Sequence, residues 1–492
     1  MLSLRKIVTS TAFISSSRVL RLLAQFIALV VLSRLLTSTD YGLVAIASPF
    51  IAYAMMLSDA GLGTSLIRSA PLKDHLSAWS TSFWLVMALG GCLTLLLSIF
   101  SPVAARIFGD ARLELIIIIL SFTIGAQAAS IIPGAALQQA GRFSTIAGIE
   151  ITATLLGMTA AVTAALLGSG VWALVAQQTV FFATRLVLTL IRSPFRPRLI
   201  FNLAAIKSDL VFGRDVLAVN MVEQFSQSID NLAIGKVLGP AELGFYNMAF
   251  QFIRLPSDIV TGPLKDVLYS HLAPIQDNLP VIRGTFLFFT RVLAIIIFPT
   301  LGVVAVAHVP IFAALLSAKW SQSGTIFMIL ATAGAVQAMT ALGRDIMLVL
   351  GRADLRLRMT IEFGLLWLCA LLLSVFFGIY WVAVAFSCAV VFYLPRLLWL
   401  ILSLIQCPFK SYLEAVIVPI LVTLASIGLY LEIAKDLALH QYADIGLAAL
   451  LALAGVVVSA LVQLRWLLNE SAFLAAPSMS TSAVRQLRDP NE

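Results

Sequence analysis

The stretch QSIDNLAIGKVLGPAELGFYNMAFQFIRLP, residues 227–256, reads as two apolar helices with a break between them. The first carries Gln227, Asp230 and Asn231 and stops at Gly239-Pro240, a pair suited to end one helix and open the next. The second restarts after Glu242 and holds Arg254, with Asp258 one turn further on. The same design stands nearer the N-terminus. Arg34-Leu35-Leu36-Thr37-Ser38-Thr39-Asp40-Tyr41-Gly42 lies over Lys236-Val237-Leu238-Gly239-Pro240-Ala241-Glu242-Leu243-Gly244, base over base and acid over acid. The register continues through Gln25 over Gln227, Phe50 over Phe252 and Leu66 over Leu268. Such a repeat predicts two related halves.

Of the 492 residues, 60% are hydrophobic and only 11% are charged. A soluble chain carries charge at roughly a quarter of its positions, so lipid must solvate most of this one. Apolar segments of about 20 residues, long enough to cross a bilayer, fall at 11–35, 43–66, 78–100, 114–140, 143–167, 171–191, 209–238, 243–268, 285–308, 323–349, 359–378, 380–404, 412–434 and 444–468. The expected fold is therefore an all-α integral membrane protein of about fourteen transmembrane helices. Strands of alternating polarity are absent, which argues against a transmembrane barrel. The N-terminal apolar segment carries Arg18 and Arg21 and lacks a small-residue cleavage site, so it reads as a first span rather than a signal.

The net charge of +8 is a matter of position. Lys and Arg collect in alternate loops, at Arg68, Lys73, Arg142, Arg192, Arg196, Arg198, Lys207, Lys265, Arg283, Arg352, Arg356, Arg358 and Lys410. By the positive-inside rule both termini are cytoplasmic. No soluble basic domain exists to bind nucleic acid. The four cysteines (Cys92, Cys369, Cys388 and Cys407) lack paired spacing and are expected to be buried small hydrophobes.

The polar residues inside the spans set the organisation. Arg18, Arg21 and Gln25 share one face of the first helix. Intramembrane arginine is costly and seldom faces lipid, so this stripe reads as the lining of a wet cavity. The second helix ends in SDAGLGTSLIR, whose one acid, Asp59, is either a helix-terminal residue bonded to nearby backbone or a titratable cavity group. Glu150 opens the fifth near Arg142, a structural pairing. The seventh helix mirrors the first, with Asn220, Glu223 and Gln227 where Arg18, Arg21 and Gln25 stood, and Asp230 and Asn231 beyond. Arg254 and Asp258 are spaced to pair with each other. Arg291, Arg344-Asp345 and Glu362 beside Arg358 continue the trend. Six helices per half return the chain to the same side, so the halves are parallel repeats about an axis along the membrane normal. The expected division is 1–200 and 201–405 as six-helix lobes, 406–468 as two added helices and 469–492 as a polar, disordered tail.

No catalytic constellation accompanies them. Neither GxxxxGK[ST] nor GxSxG occurs, and His75, His271, His308 and His440 are scattered without metal-ligand spacing, so no enzyme activity, metal or cofactor is expected. Short outer loops weigh against a membrane glycosyltransferase or polymerase. Translocation remains. Buried arginines attract an anionic head group such as a diphosphate between a lipid and a sugar. Arg18 and Arg21 are the candidate head-group contacts, with Arg254 and Arg291 as further cations. Gln25, Asn220, Gln227 and Asn231 would bond sugar hydroxyls. Asp59, Glu223, Asp230 and Asp258 are the candidate gating or coupling acids, Glu223 being the expected partner of Arg21.

Asp230, Ile234-Gly235-Lys236, Leu238-Gly239, Leu243-Gly244, Tyr246, Ala249 and Pro256 together resemble the hallmark of the polysaccharide transporter branch of the multidrug/oligosaccharidyl-lipid/polysaccharide (MOP) flippases. SRLLTSTDYG, DAGLGTSLIR, Glu150 and Gly170-Val171-Trp172-Ala173-Leu174-Val175 look like that branch too, in its order, over about residues 1–400. The likeness is greatest to exopolysaccharide exporters of the Wzx type. It implies a bacterial inner-membrane flippase that moves undecaprenyl-diphosphate-linked oligosaccharide repeat units outward by alternating access, for exopolysaccharide or lipopolysaccharide. Polysaccharide polymerase and co-polymerase proteins are the implied partners. The alternatives are a flippase for another lipid-linked precursor such as that of peptidoglycan, a small-molecule exporter of the same superfamily, or a membrane glycosyltransferase.

Overall fold

A computed structural model describes residues 21–69, 72, 75–272, 278–437 and 441–468. Arg18, the tail from residue 469 and the side chain of Gln227 lie outside the described part. Sixteen α-helices follow one another, with no strand among the described residues. They are α1 (21–35), α2 (Ser38–Asp59), α3 (Leu62–Ser69), α4 (Leu76–Phe108), α5 (Arg112–Gln139), α6 (Phe143–Leu166), α7 (Trp172–Arg192) and α8 (Lys207–Val237). Then come α9 (Pro240–Leu272), α10 (Leu279–Val306), α11 (His308–Leu315), α12 (Ser321–Val349), α13 (Ala353–Ser374), α14 (Ile379–Leu404), α15 (Phe409–Leu437) and α16 (Gln441–Val462).

Among the described residues, 11 helices are long and apolar enough to cross a membrane. They answer to eleven of the expected spans, and α1, α8 and α9 fall within the stretches read as the other three. The chain is a multi-pass membrane protein. Its outer faces carry large apolar side chains left open, Ile99 at 78% and Phe392 at 77% exposure among them, which only acyl chains can solvate.

Two departures from the expected spans have a local cause. The second span does not run unbroken to residue 66. It stops at Asp59, turns through Ala60 (φ 48°) and Gly61 (φ 69°) in left-handed conformation, and restarts as α3. Gly213 of α8 presses on that bend, where a Cβ would overlap the carbonyl oxygen of Ala60. The cysteines are the second departure: Cys92, Cys369 and Cys388 are exposed and only Cys407 is buried. A small thiol costs little against lipid, so apolar character does not place it inside.

The described residues fall into two compact units. One comprises those within Met1–Met248 and Leu368–Val382, the other those within Ala249–Trp367 and Ala383–Glu492. The division falls inside α9, α13 and α14. In the first unit α5 is the axis, packed by α2, α4 and α7, and α8 joins it by lying on α2 and α3. The core there gathers Leu62, Leu66, Trp79, Phe83, Val86, Ile132, Phe195 and Ile206. The 193–206 connection is strapped down by that core. Phe195 is buried in it, the Ser193 hydroxyl donates to the Pro133 carbonyl at 2.9 Å, and Trp84 Nε1 donates to the Arg198 carbonyl at 2.9 Å. In the second unit α10 is central, against α12, α15 and α16.

The start of α2 is locked by a capping box. Thr37 Oγ1 accepts from the Asp40 amide at 3.3 Å, and Asp40 Oδ2 accepts the Thr37 amide at 2.9 Å and its hydroxyl at 2.7 Å. Asp40 is buried, so Asp40→Ala leaves donors unmet as well as uncapping the helix. The expected loss is about 1–2 kcal/mol, read as a lowered thermal unfolding midpoint of the purified protein.

Four residues of the first unit give the internal repeat a physical form. A Cβ on Gly42 would overlap the carbonyl oxygen of Pro240, and a Cβ on Gly244 would overlap that of Ser38. In the sequence register Ser38 lies over Pro240 and Gly42 over Gly244. Each repeat therefore touches the other with the equivalent pair, the mark of a local two-fold relation. The glycines permit it because nothing larger than hydrogen fits between the two backbones.

Candidate functional site

The cluster begins with an arginine in a helix that has no other charge beside it. Arg185 stands two turns before the end of α7, followed by Leu186, Val187 and Leu188. Glu150 is the sole acid of α6, the antiparallel neighbour of α7, and Arg185 Nε meets Glu150 Oε1 at 2.9 Å. The other oxygen of the same carboxylate, Oε2, accepts from Arg21 Nη1 of α1 at 3.0 Å. Arg185 Nη1 reaches on to Gln127 Oε1 of α5 at 2.6 Å. Four helices thus converge on one carboxylate held between two guanidinium groups.

Charge in the cluster does not balance. Two cations face one anion, and Arg21 Nε is buried with no hydrogen-bond partner. The side chains are about one-third to one-fifth exposed, at 31% for each arginine and 20% for Glu150. A surplus guanidinium in a bilayer span is strongly disfavoured unless an anion or water reaches it. The arrangement can therefore take an anionic group by bidentate guanidinium contacts.

Gln25 and Asn220 are exposed on α1 and α8, and Glu223 is half-buried. Asp230 stands beside the hydroxyl of the fully buried Tyr246, and Asn247 Nδ2 donates to Asn231 Oδ1 at 3.2 Å. These four residues tie α8 to the start of α9. Asp59 Oδ1 accepts from the Gly63 amide at 3.3 Å, across the α2–α3 break, so it bonds nearby backbone. Arg291 is 3% exposed, with its guanidinium carbon 5.5 Å from the centre of the Trp466 ring, a cation–π contact within the second unit. Arg254 and Asp258 are both exposed, and no ion pair joins them among the described residues.

Two pairings differ from those expected. Glu150 bonds Arg21 and Arg185 rather than Arg142, whose guanidinium instead meets the Arg192 carbonyl at 3.5 Å. Arg21 has Glu150 as a partner, where Glu223 was expected. Helix direction explains the first: Arg142 precedes α6 and sits at its end, a turn or more from Glu150, whereas Arg185 comes to the same depth by the hairpin's return. Arg185 and Gln127 were not singled out in the sequence. A charge balance by hairpin would have found Arg185, since an arginine that deep needs an acid and α6 offers only Glu150.

A family model for polysaccharide biosynthesis proteins matches residues 31–325. Teichuronic acid biosynthesis protein TuaB of Bacillus subtilis (strain 168) is 27% identical over 433 residues, spanning 86% of this chain and 87% of its own length. Lipopolysaccharide biosynthesis protein WzxC of Escherichia coli (strain K12) is 26% identical over 345 residues, 67% of each chain. Succinoglycan biosynthesis transport protein ExoT of Rhizobium meliloti (strain 1021) is 23% identical over 308 residues, 62% of each chain. Among solved structures, the lipid II flippase MurJ in an inward closed conformation superposes with a TM-score of 0.72 at 14% identity, over 94% of this chain and 99% of its own. An inward-facing multidrug resistance transporter of the MATE family, in the MOP superfamily, gives 0.60 at 15% identity, over 78% and 95%. These likenesses show the fold to be that of MOP transporters.

Proposed function

Because the chain belongs to the polysaccharide biosynthesis protein family, we propose that it is a flippase carrying undecaprenyl-diphosphate-linked oligosaccharide repeat units from the inner to the outer leaflet of a bacterial inner membrane. The product feeds exopolysaccharide or lipopolysaccharide synthesis, and polysaccharide polymerase and co-polymerase proteins would receive it. Both termini lie in the cytoplasm by the distribution of Lys and Arg.

The observation that carries this reading is the surplus cation among Arg21, Glu150 and Arg185. A diphosphate offers two adjacent anionic groups to two guanidiniums, and binding it relieves the imbalance without burying a bare charge. Arg18, Arg254 and Arg291 are the further candidate cations. Gln25, Asn220, Gln227 and Asn231 would bond sugar hydroxyls, and Asp59, Glu223, Asp230 and Asp258 would act in gating or coupling. No bond is made or broken in the substrate: the protein moves it and is not an enzyme. Relatives with biosynthesis and transport names support the class, as does the MOP fold.

Reconstitution tests it. Proteoliposomes containing the full chain should make a fluorescent lipid-linked oligosaccharide, loaded on one leaflet, accessible to a membrane-impermeant quencher on the other. Equal rates with and without protein would sink the proposal. So would transfer of sugar from a donor, which would make the chain a glycosyltransferase.

A further inference from the structure

Another carboxylate of this chain is held as Glu150 is. Glu362 of α13 accepts from Arg358 Nε at 2.8 Å and from Arg396 Nη2 of α14 at 3.3 Å, both through Oε1. Its Oε2 takes the Tyr393 hydroxyl at 3.1 Å and Arg396 Nε at 3.4 Å. The recurrence is specific: in each cluster the acid stands on one helix, an arginine comes from the helix that follows it, and a second arginine leaves a surplus positive charge. Nearby cations do not cancel differently, since Arg352 pairs with Asp354 at 3.2 Å and Arg356 with Asp345 at 3.7 Å.

What differs is exposure. Arg358 is 64% and Arg396 43% exposed, against 31% for Arg21 and for Arg185. Arg358 shares its face of α13 with exposed Ile361, Leu365 and Leu372, and Arg396 shares its face of α14 with exposed Phe392 and Trp399. Surfaces so apolar on membrane-crossing helices are covered by acyl chains, not by water. At about 1.5 Å per residue, Arg358 stands roughly 8 Å inside the start of α13, and Arg396 roughly 12 Å inside the end of α14. Both helix ends lie on the side rich in Lys and Arg. From those depths a long side chain reaches the headgroup level.

We propose that Arg358 and Arg396, oriented by Glu362 and Tyr393, form a binding site for the phosphate of a lipid in the leaflet at that side of the membrane. One carboxylate satisfies part of the ten N–H donors that two guanidiniums carry. The remainder are left for groups at the headgroup level, where phosphate oxygens are abundant. The ligand chemistry is a lipid-borne phosphate, shared by an anionic phospholipid and by a polyprenyl diphosphate. The site stands whether or not the chain moves lipid-linked oligosaccharide.

Native mass spectrometry of the full chain in detergent, titrated with phosphatidylglycerol or with undecaprenyl diphosphate, tests the site. Arg358→Gln with Arg396→Gln should weaken binding of one of the two lipids by about tenfold, the worth of a lost charged hydrogen bond. Loss confined to phosphatidylglycerol assigns the site to phospholipid; loss confined to undecaprenyl diphosphate assigns it to the polyprenyl lipid. Affinities unchanged for both overturn the proposal. Should the double variant fail to fold, Arg358→Gln alone keeps Glu362 paired with Arg396, and should weaken the same lipid by about threefold. No change there overturns it equally.

Discussion

Arg21→Glu should abolish export, and adding Glu150→Arg should restore part of it. The single substitution sets two carboxylates where Arg21 and Glu150 now meet at 3.0 Å, with Arg185 alone to serve both. Like charges so close in a bilayer span cost several kcal/mol, so a loss on the order of a hundredfold in transport rate is expected. Reversing Glu150 rebuilds the pair with its ends exchanged and returns about tenfold of that loss. Glu223→Arg in the same background should restore less, since the partner seen for Arg21 is on α6. The measurement is quencher accessibility of a lipid-linked oligosaccharide in proteoliposomes for the parent chain, Arg21→Glu, Glu150→Arg and the two double variants. If the two substitutions act independently, with no recovery in the double variant, the pairing of Arg21 with Glu150 has no part in transport.

The largest expected effect on stability belongs to the two reciprocal glycines. Gly42→Val and Gly244→Val each drive a side chain into a backbone carbonyl, of Pro240 and of Ser38. Backbone cannot swing aside as a side chain can, so α2 and α9 must part at their N-termini. Overpacking of this kind costs about 3 kcal/mol or more, which should appear as a lowered unfolding midpoint and a sharp fall in the yield of monodisperse protein. Gly134→Ala is the control: nothing stands within 4 Å of a Cβ there, and the midpoint should hold or rise slightly. Because the two contacts are equivalent, both variants should lose similar stability. A large loss at Gly42 with none at Gly244 would deny that the repeats meet symmetrically.

Of the cluster, Arg21 alone was legible in the chain as a candidate site residue, and the rest was not, for reasons that can be named. Arg21 shows by its position in an apolar span that it needs a polar neighbour, because the cost of charge in lipid does not depend on tertiary detail. Glu362 and Arg358 are four apart on one helix, and their 2.8 Å bond follows from helical spacing. Arg254 and Asp258 have the same spacing and form no such bond among the described residues, since both are exposed and each is free to turn outward. The partner of Arg21 lies 129 residues away on α6, and no periodicity links the two. Arg291 could be read as a cavity cation from sequence, yet only packing put Trp466 under it.

Chain order and composition were enough for the all-helical membrane class and for the break at Gly239-Pro240, because both depend on local hydropathy and turn chemistry. They also carried the repeat, in residues whose equivalence needs no coordinates to see. Tertiary structure alone decided which charges meet between helices, that Gly42 and Gly244 are fitted to the opposite backbone, and that Glu150 serves two arginines. Those outcomes hang on how four helices from distant parts of the chain are laid side by side, a matter of packing that side-chain order along the chain does not encode.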